Sequence, residues 1–368
     1  MLRDAGLLTI DLALAALEDD LMLQDAYPWN VLFEGHRPVF VDVTSLVAPD
    51  PDVIWPAHEQ FEAYFTRPLA LASEGRGEVG RALLYNNLTG IDLEKFYQLT
   101  SATYRWRRPG LMLAHWLHGR IQKSTAMKNR VRRLASQMEG KVTPSIRRRF
   151  LQRLANQLES QRVRSGSEPW ADYYAEIAPE FDRQAKIDAI RRLITAVKPE
   201  QVLDLGCNAG VFSIIAAECG ARVISVDSSE PCIEKLYLKA KEDDLCITPL
   251  LSDVLCPTPA FGFMGTQYDV LWTRVKSDLV MCLGLMHHLH LSGRQSWERI
   301  VNLLATVSTK HLIFEYVGMD DANIDHLPQR RSINYNLETV IAALRKQFPE
   351  ISVHPSDRES RRILLCKK

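Results

Sequence analysis

The chain has 368 residues, of which 46% are hydrophobic and 24% are charged, and its 45 Lys and Arg residues balance 45 Asp and Glu residues. This composition predicts a folded globular protein of two or three domains, and the zero net charge excludes a whole-chain attraction to nucleic acid or to membranes. Seven cysteines without a C-x-x-C pair favour free thiols in a reducing, cytoplasmic compartment.

The sequence of residues 1–104 predicts an N-terminal region of α and β structure that is mostly helical. The opening segment MLRDAGLLTIDLALAALEDD predicts an amphipathic helix and not a signal peptide, because Asp4 and Asp11 interrupt its apolar residues. No uninterrupted apolar run in the sequence approaches the roughly 20 residues that span a bilayer.

Within this region, LQDAYPWNVLFEGHRPVFVD resembles the catalytic loop of kinases of the aminoglycoside-phosphotransferase type. Asp25, Asn30 and Asp42 have the spacing at which such kinases place the base and two magnesium ligands. No glycine-rich loop with a following strand lysine precedes them, so an active phosphotransferase is not expected. Two interpretations stay open: a remnant kinase-like fragment, or a chance match in which Asp25 and Asn30 form turns.

Residues 105–169 predict a basic helical connector. Sixteen Lys and Arg residues and only two acids, Glu139 and Glu159, lie between positions 105 and 164, and SGSEP at 165–169 is typical of a linker. Clustered basic residues predict a surface for RNA or DNA. The favoured alternative is a set of amphipathic helices whose arginines are solvated or pair with acids such as those of LEDD at 17–20.

From residue 170 onward, strand patterns alternate with helical patterns. Such alternation predicts a parallel sheet covered by helices on both faces, and the last two strands predict an antiparallel hairpin. The predicted strands are QVLDLG, ARVISVD, CITPLLSD, SDLVMCLG, HLIFEYVG, EISVHPS and RRILLCKK.

The segment DLGCNAG predicts a ligand loop at the end of the first of these strands. Gly206 and Gly210 would let a ligand lie against the main chain, and Asp227, at the end of the second strand, would accept hydrogen bonds from ribose hydroxyls. A dinucleotide site requires a glycine where Asn208 stands, because the backbone must approach a pyrophosphate. A nucleoside without phosphate, such as S-adenosylmethionine, tolerates that side chain.

Residues 182–368 resemble the class I S-adenosylmethionine-dependent methyltransferases. The resemblance lies in DLGCNAG, VD at 226–227, SD at 252–253, DLVMCLGLMHHL at 278–289 and LIFEYVG at 312–318, which occur in the family's order; Asn208 replaces the middle glycine of the family pattern. It implies an α/β fold, a Rossmann-like seven-stranded sheet with a C-terminal antiparallel hairpin. It also implies a set of residues that bind the cofactor: Asp204, Gly206, Cys207, Asn208 and Gly210 at the methionine end, Asp227 with Ser228 at the ribose, and Asp253 at the adenine amino group. The order of DAYPWNVLFEG and PVFVD ahead of DLGCNAGVFS also resembles bacterial methyltransferase-like proteins that include rhizobial nodulation factors.

Catalytic candidates are expected after the fourth and fifth strands. Methyl transfer needs alignment of the acceptor, and a base only when the acceptor must lose a proton. His287, His288 and Glu315 are the candidates, with Glu315 alternatively paired with an arginine such as Arg330. Metal binding is disfavoured, because neighbouring histidines point in different directions. The aromatic residues of EPWADYY, Trp170, Tyr173 and Tyr174, predict either a lid over the cofactor or ordinary packing.

The sequence therefore predicts a cytoplasmic methyltransferase domain over residues 170–368 behind a region that shapes the acceptor site. A small-molecule acceptor is favoured, no membrane partner is expected, and nucleic acid stays open through residues 105–164. The alternatives are a non-catalytic protein that binds S-adenosylmethionine or RNA, an RNA methyltransferase that uses the basic stretch, and an NAD-dependent oxidoreductase, against which Asn208 argues.

Overall fold

The structure of the protein is a computed structural model that describes residues 1–85, 88–127, 129, 142–162, 183–321, 324 and 335–368. The chain forms two compact units, one of Met1–Phe33 with Pro38–Gly166 and the other of Glu34–Arg37 with Ser167–Lys368. The domain limits expected after residues 104 and 169 stay predictions.

The N-terminal elements are mostly helical. The helices are α1 (Leu2–Ala16), α2 (His58–Phe61), α3 (Arg67–Ser73), α4 (Gly77–Tyr85), α5 (Leu93–Leu99), α6 (Ala102–Trp106), α7 (Pro109–Lys123) and α8 (Pro144–Ser160), with 3₁₀ turns at Leu17–Asp19, Pro28–Asn30 and Val43–Ser45 and a π-helical turn at Glu62–Thr66. Short antiparallel strands pair β1 (Met22–Leu23) with β4 (Leu46–Val47), and β2 (Val31–Glu34) pairs with β3 (Arg37–Phe40).

Helix α1 confirms the amphipathic pattern of the first residues. Its buried positions include Ala5, Ile10 and Ala13, which recur at helical spacing and form one face. This face shares a hydrophobic core with Leu151 and Leu158 of α8. The first unit therefore has a core of its own.

The C-terminal elements alternate between helix and strand. They are α9 (Arg183–Val197), β5 (Gln201–Leu205), α10 (Val211–Glu218), β6 (Arg222–Asp227), α11 (Glu230–Glu242), β7 (Ile247–Leu251), a 3₁₀ turn (Phe263–Gly265), α12 (Leu271–Arg274), β8 (Ser277–Cys282), a π-helical turn (His288–Ser292), α13 (Trp297–Val307), β9 (Ser308–Val317), α14 (Leu337–Arg345), β10 (Glu350–Pro355) and β11 (Arg361–Lys367).

Seven of these strands form one sheet in the order β10-β11-β9-β8-β5-β6-β7. Strands β5 to β9 pair in parallel, whereas β11 is antiparallel to both of its neighbours. Along β8, Leu279 and Met281 enter the core on one face, and Val280 and Cys282 enter the core on the other. Because both faces of β8 are buried, this strand is apolar along most of its length. The strand order and directions confirm the predicted Rossmann-like sheet with a terminal hairpin.

Among the parallel strands, the sheet has one point at which strand order reverses. The chain runs from β5 outward through β6 to β7, and then returns to β8 on the other side of β5. Ligands of open α/β sheets bind beyond the carboxyl ends of the strands at this point. Among the helices described, none is long and apolar enough to cross a membrane.

Candidate active site

The loop from Gly206 to Gly210 joins β5 to α10. Gly206 has φ +71° and Gly210 has φ +83°, in the left-handed region that favours glycine. A Cβ atom at Gly210 would lie 2.3 Å from Leu236 Cδ1, so this glycine also allows α11 to pack closely. Asn208 has φ +50°, which asparagine tolerates better than most residues. The path of the loop thus depends on these three residues.

The backbone N–H groups of this loop all donate to acceptors within the protein. The five hydrogen bonds run from Gly206 N to Val226 O at 2.8 Å, from Cys207 N to Val226 O at 3.1 Å, from Asn208 N to Asp227 Oδ2 at 2.8 Å, from Ala209 N to Asn208 Oδ1 at 2.6 Å and from Gly210 N to Cys207 O at 2.9 Å. A phosphate-binding glycine loop instead points its N–H groups at the ligand. The Asn208 side chain therefore contributes an acceptor to the loop, since its Oδ1 accepts the hydrogen bond from Ala209 N.

Asp227 ends β6 beside this loop. One carboxylate oxygen accepts the hydrogen bond from Asn208 N, and the other accepts one from Ser229 N at 2.9 Å. Ser229 caps α11 by accepting a hydrogen bond from Cys232 N, whereas Ser228 is exposed. The two N–H groups fix the orientation of the carboxylate at the edge of the loop.

Asp204 lies inside the sheet below the loop. Its side chain is buried and accepts a hydrogen bond from Ser213 Oγ at 2.6 Å, while Ser213 accepts one from Ser225 at 2.8 Å. Burial raises the pKa of Asp204 to about 7, the nearby Asp227 charge also raises the pKa, and the Ser213 hydrogen bond opposes both effects. A cation bound nearby would therefore shift this carboxyl to its ionised form.

Cys207 and Asp253 differ in their exposure. The Cys207 thiol is buried, and burial raises its pKa well above the ordinary value, so it stays protonated at neutral pH. Asp253 is exposed and its Oδ1 accepts a hydrogen bond from Leu255 N at 2.8 Å. The preceding residue, Ser252, donates its N–H to Asp227 O at 2.9 Å, which brings the ends of β6 and β7 together.

His287 and His288 follow β8 with ring centroids 4.2 Å apart. His287 is buried, and no described residue is a hydrogen-bond partner of its Nδ1. Burial first, and then His288, lower the pKa of His287 to about 3, so its imidazole is neutral at physiological pH. Burial also lowers the pKa of His288, which is only half-buried. Of the two rings, His288 is therefore the more accessible.

Glu315 lies near the end of β9 in a buried ionic network. Lys186 Nζ donates to its Oε2 at 2.7 Å, and Ser356 Oγ donates to its Oε1 at 3.0 Å. The Nη1 atom of Arg361 lies 3.8 Å from Glu315 Oε1. The same guanidinium group forms a bidentate ion pair with Asp321, in which Nε donates to Oδ2 at 2.7 Å and Nη2 donates to Oδ1 at 3.0 Å. Glu315 thus binds cations of α9 and β11, and the other suggested partner, Arg330, lies outside the described residues.

Lys186 is a residue that the sequence motifs do not indicate. It occupies the buried stripe of α9 with Ala189, Ile190 and Leu193, and its Nζ lies 5.0 Å from the centroid of the Phe212 ring. A lysine at an apolar position of an amphipathic helix was the available signal, because a buried ammonium group requires an anionic partner. The predicted lid residues Trp170, Tyr173 and Tyr174 lie outside the described residues.

The site residues come from the carboxyl ends of β5, β6, β7, β8 and β9, and residues 170–342 match the family model of a methyltransferase domain. The C-terminal half of the chain is a class I S-adenosylmethionine-dependent methyltransferase domain. Its cofactor is S-adenosylmethionine.

Similarity to known proteins extends beyond this domain. Nodulation protein NoeA of Rhizobium meliloti (strain 1021) is 27% identical over 360 residues, which are 96% of this chain and 75% of NoeA. Cypemycin N-terminal methyltransferase of a Streptomyces species is 50% identical over 44 residues, 12% of this chain and 18% of that protein. The solved structure of magnesium protoporphyrin IX methyltransferase from Synechocystis PCC 6803 with bound SAM matches with a TM-score of 0.37 and 18% identity. The match covers 56% of this chain and 86% of the chain of that structure.

The donor set of the methyltransferase domain suits a cationic nucleoside. Buried Asp204 can balance positive charge, and the fixed carboxylate of Asp227 can accept hydrogen bonds from hydroxyl groups. The N–H groups of the glycine loop are engaged within the protein, so the loop lacks the donors that a diphosphate needs. These residues fit S-adenosylmethionine and do not fit NAD.

The kinase-like segment of the N-terminal region is not confirmed. Asn30 Nδ2 donates to Asp42 Oδ2 at 3.1 Å, and Asp42 caps the turn at Val43–Ser45 by accepting from Thr44 N. Asp25 Oδ1 accepts a hydrogen bond from Gln60 at 3.3 Å. No group of three or more His, Cys, Asp or Glu residues that could hold a metal ion occurs in the described part of the chain. The contacts agree with turn formation, and the similarity to NoeA confirms the resemblance to nodulation-type proteins.

Five of the described basic residues of 105–164 contact other groups of the protein. Buried Arg147 donates to the carbonyl of Val53 at 3.1 and 3.2 Å, and Arg148 pairs with Glu18 of the LEDD segment at 3.3 Å. Three more guanidinium groups lie over aromatic rings: Arg105 over Tyr97, Arg108 over Tyr104 and Arg120 over Trp116. These contacts support the interpretation as amphipathic helices, and no finding supports nucleic acid as a partner.

Proposed function

We propose that this domain transfers the methyl group of S-adenosylmethionine to a small-molecule acceptor. The glycine loop supports this function most directly, because its N–H groups are used internally while two carboxylates lie beside it. S-adenosylmethionine supplies a methyl group on a positively charged sulfur atom, which is already activated for displacement. The protein then needs to bind, orient and desolvate the reactants.

The cofactor residues divide according to their position in the sheet. The methionine end of the cofactor is surrounded by residues of β5 and the following loop: Asp204, Gly206, Cys207, Asn208 and Gly210. Asp227 ends β6 and Ser228 follows it, and both bind the ribose hydroxyls. Asp253 follows β7 and accepts a hydrogen bond from the adenine amino group. The support is the order of β5, β6 and β7 in the sheet, which places these three carboxylates along one edge.

Three residues near the carboxyl ends of β8 and β9 have distinct roles on the acceptor side. His288 is the proton acceptor when the acceptor must lose a proton, because its ring is half-buried and neutral at pH 7. His287 has a pKa of about 3 and orients the acceptor through a hydrogen bond. Glu315 holds Lys186 within the site and has a positioning role, since its carboxylate is fully buried in the ion pair.

The acceptor class is tested by methyl transfer from radiolabelled cofactor into a bacterial extract. The extract is separated into small molecules, RNA and protein before counting, and Asp227→Ala serves as the control with weakened cofactor binding, at a cofactor concentration near the wild-type dissociation constant. Label in the small-molecule fraction is expected from the wild-type protein alone. Label in RNA would instead indicate an RNA methyltransferase, and binding of cofactor without transfer to any fraction would indicate a non-catalytic binding protein.

The cysteines support a reducing, cytoplasmic location for this activity. All seven are free thiols, and Cys207, Cys232, Cys282 and Cys366 are buried. Titration of the native protein with a thiol reagent after purification without reductant tests this inference. All seven thiols are expected to react once the protein is unfolded, whereas only five reactive thiols would reveal a disulfide.

A further inference from the structure

In the part of the chain that the structure describes, helix α7 packs on its neighbours through the face that carries Leu111 and His115. Leu111 contacts the small core formed around Leu71 and Phe96. His115 stacks on the Tyr97 ring with centroids 3.7 Å apart, and its Nε2 lies 2.8 Å from Glu94 Oε2. Leu111 and His115 are four residues apart and therefore lie on the same side of the helix. That side fixes α7 to the first unit.

The opposite face of α7 is apolar and exposed. This face carries four exposed apolar side chains: Met112 (45% exposed), Leu113 (57%), Trp116 (50%) and Leu117 (37%). Trp106, just before the helix, is 79% exposed. At 100° per residue the four helix positions lie within about 140° of one another, on the side away from Leu111. This pattern is the reverse of an ordinary surface helix, which turns its apolar face to the core.

The charges around this face have one sign. Arg105, Arg107 and Arg108 precede the helix, and Arg120 and Lys123 lie in its last turn. The sequence from Ala102 to Lys123 contains no Asp or Glu. Arg120 extends over the Trp116 ring at 4.6 Å, so a cation lies directly beside the apolar side chains. A surface that covers this face should be both apolar and anionic.

We propose that α7 and Trp106 form a docking surface for an anionic lipid bilayer, on which the helix lies in the plane of the headgroups. Helices that bind in this way have an apolar face with Trp and Leu, flanked by Lys and Arg. Trp rings favour the headgroup region, and each basic residue near an anionic leaflet adds attraction.

A second copy of the chain fits this face less well than a bilayer does. A helix of 15 residues is about 22 Å long and about 10 Å wide, so its exposed stripe covers about 200 Å². Stable protein interfaces bury about 800 Å² on each partner. Repulsion between two identical basic faces would weaken such a dimer further, whereas a lipid surface imposes no minimum area.

Vesicle flotation of the full chain tests the proposal. Vesicles of phosphatidylcholine with about one third phosphatidylglycerol are compared with vesicles of phosphatidylcholine alone, at low and high salt. The wild-type protein is expected to float with the anionic vesicles, and added salt is expected to release it. Leu113→Glu should lower the partition constant about tenfold or more, because it places a charge in the lipid-facing stripe.

Leu238→Glu is the matched control, because Leu238 is a 54% exposed leucine on α11. It should float like the wild-type protein, and Trp106→Ser should reproduce the loss seen with Leu113→Glu without altering α7. Equal flotation of Leu113→Glu and Leu238→Glu, or equal binding to neutral vesicles, would overturn the proposal. So would sedimentation that shows a wild-type dimer and a Leu113→Glu monomer, since a second copy would then cover the face.

Discussion

The Asp227 carboxylate accepts hydrogen bonds from Asn208 N and Ser229 N, so it orders the loop as well as facing the proposed ribose site. Asp227→Ala should weaken the binding of S-adenosylhomocysteine about 100-fold, since hydrogen bonds to a charged group contribute about 1.5–3 kcal/mol each. Asp188→Ala removes an exposed carboxylate from α9 and should leave the affinity unchanged. Calorimetric titration measures both variants, and equal affinities would contradict the assignment.

The pKa of Asp204 gives cofactor binding a pH dependence. Burial and the Asp227 charge raise this pKa to about 7 in the ligand-free protein, and a bound cation stabilises the ionised form. Binding of S-adenosylmethionine should therefore release a proton below pH 7, and the dissociation constant should rise up to about tenfold per pH unit as the pH falls. Titrations in buffers of different ionisation enthalpy count the proton, and Asp204→Asn should remove the effect.

The same pKa affects the stability of the ligand-free protein. The folded pKa lies above the unfolded value near 3.9, so the folded state binds the extra proton between about pH 4 and pH 7. The stabilisation that Asp204 contributes is fully present below pH 4 and is lost as the pH rises through 7. In Asp204→Asn this contribution should disappear, and denaturant unfolding between pH 4 and 8 would reveal a changed slope.

At the scale of elements, local sequence patterns were sufficient for most of the second unit. Most of the strands from Gln201 to Lys367 contain a short apolar run, and all seven predicted strands occur. The order of the sheet followed from the family resemblance, because hydrophobic periodicity does not determine which strands pair. The π-helical turns at Glu62–Thr66 and His288–Ser292 have no distinct pattern and were not predicted.

Contacts between distant elements were the features that the sequence could not specify. Lys186 and Glu315 are 129 positions apart, and only the packing of α9 against the sheet makes them partners. The sequence predicted Glu315 as a catalytic candidate because it ends a strand at the expected edge. Its burial, and its two cationic neighbours, depend on tertiary structure.

The ion pair between α9 and β9 predicts a large cost for removing one partner. Lys186→Met leaves the fully buried Glu315 without its closest cation, and breaking a buried pair costs about 3–5 kcal/mol. Lys310→Met is the matched control, because Lys310 is 64% exposed and lies 3.8 Å from Asp278. Denaturant unfolding should show a change of less than about 1 kcal/mol for this surface pair.

A second substitution distinguishes an ion-pair effect from a packing effect. Adding Glu315→Gln to Lys186→Met removes the uncompensated charge and should recover part of the lost stability. If Lys186→Met is as stable as Lys310→Met, or if the double variant is no more stable than the single one, the ion pair does not hold α9 to β9 in the way that its geometry indicates.

At the scale of the whole molecule, two sets of hydrophobic cores divide the chain. One set surrounds Phe61, Phe65 and Leu158 in the first unit, and the other covers the two faces of the seven-stranded sheet. The proposed cofactor residues, from Asp204 to Asp253, all belong to the second unit. Composition predicted more than one domain, whereas the assignment of Glu34–Arg37 to the second unit had no sequence signal.

Cofactor binding should therefore stabilise only one of the units directly. At 100 times the dissociation constant, a ligand adds about 2.7 kcal/mol to the free energy of unfolding of the unit that binds it. For a unit of about 200 residues this corresponds to a rise in Tm of about 5–10 °C.

Scanning calorimetry with S-adenosylhomocysteine should show two transitions, of which one moves to higher temperature. Leu158→Ala, in the core of the first unit, should lower the Tm of the other transition. Two transitions that move together on ligand addition would show that the units unfold cooperatively and would contradict this assignment.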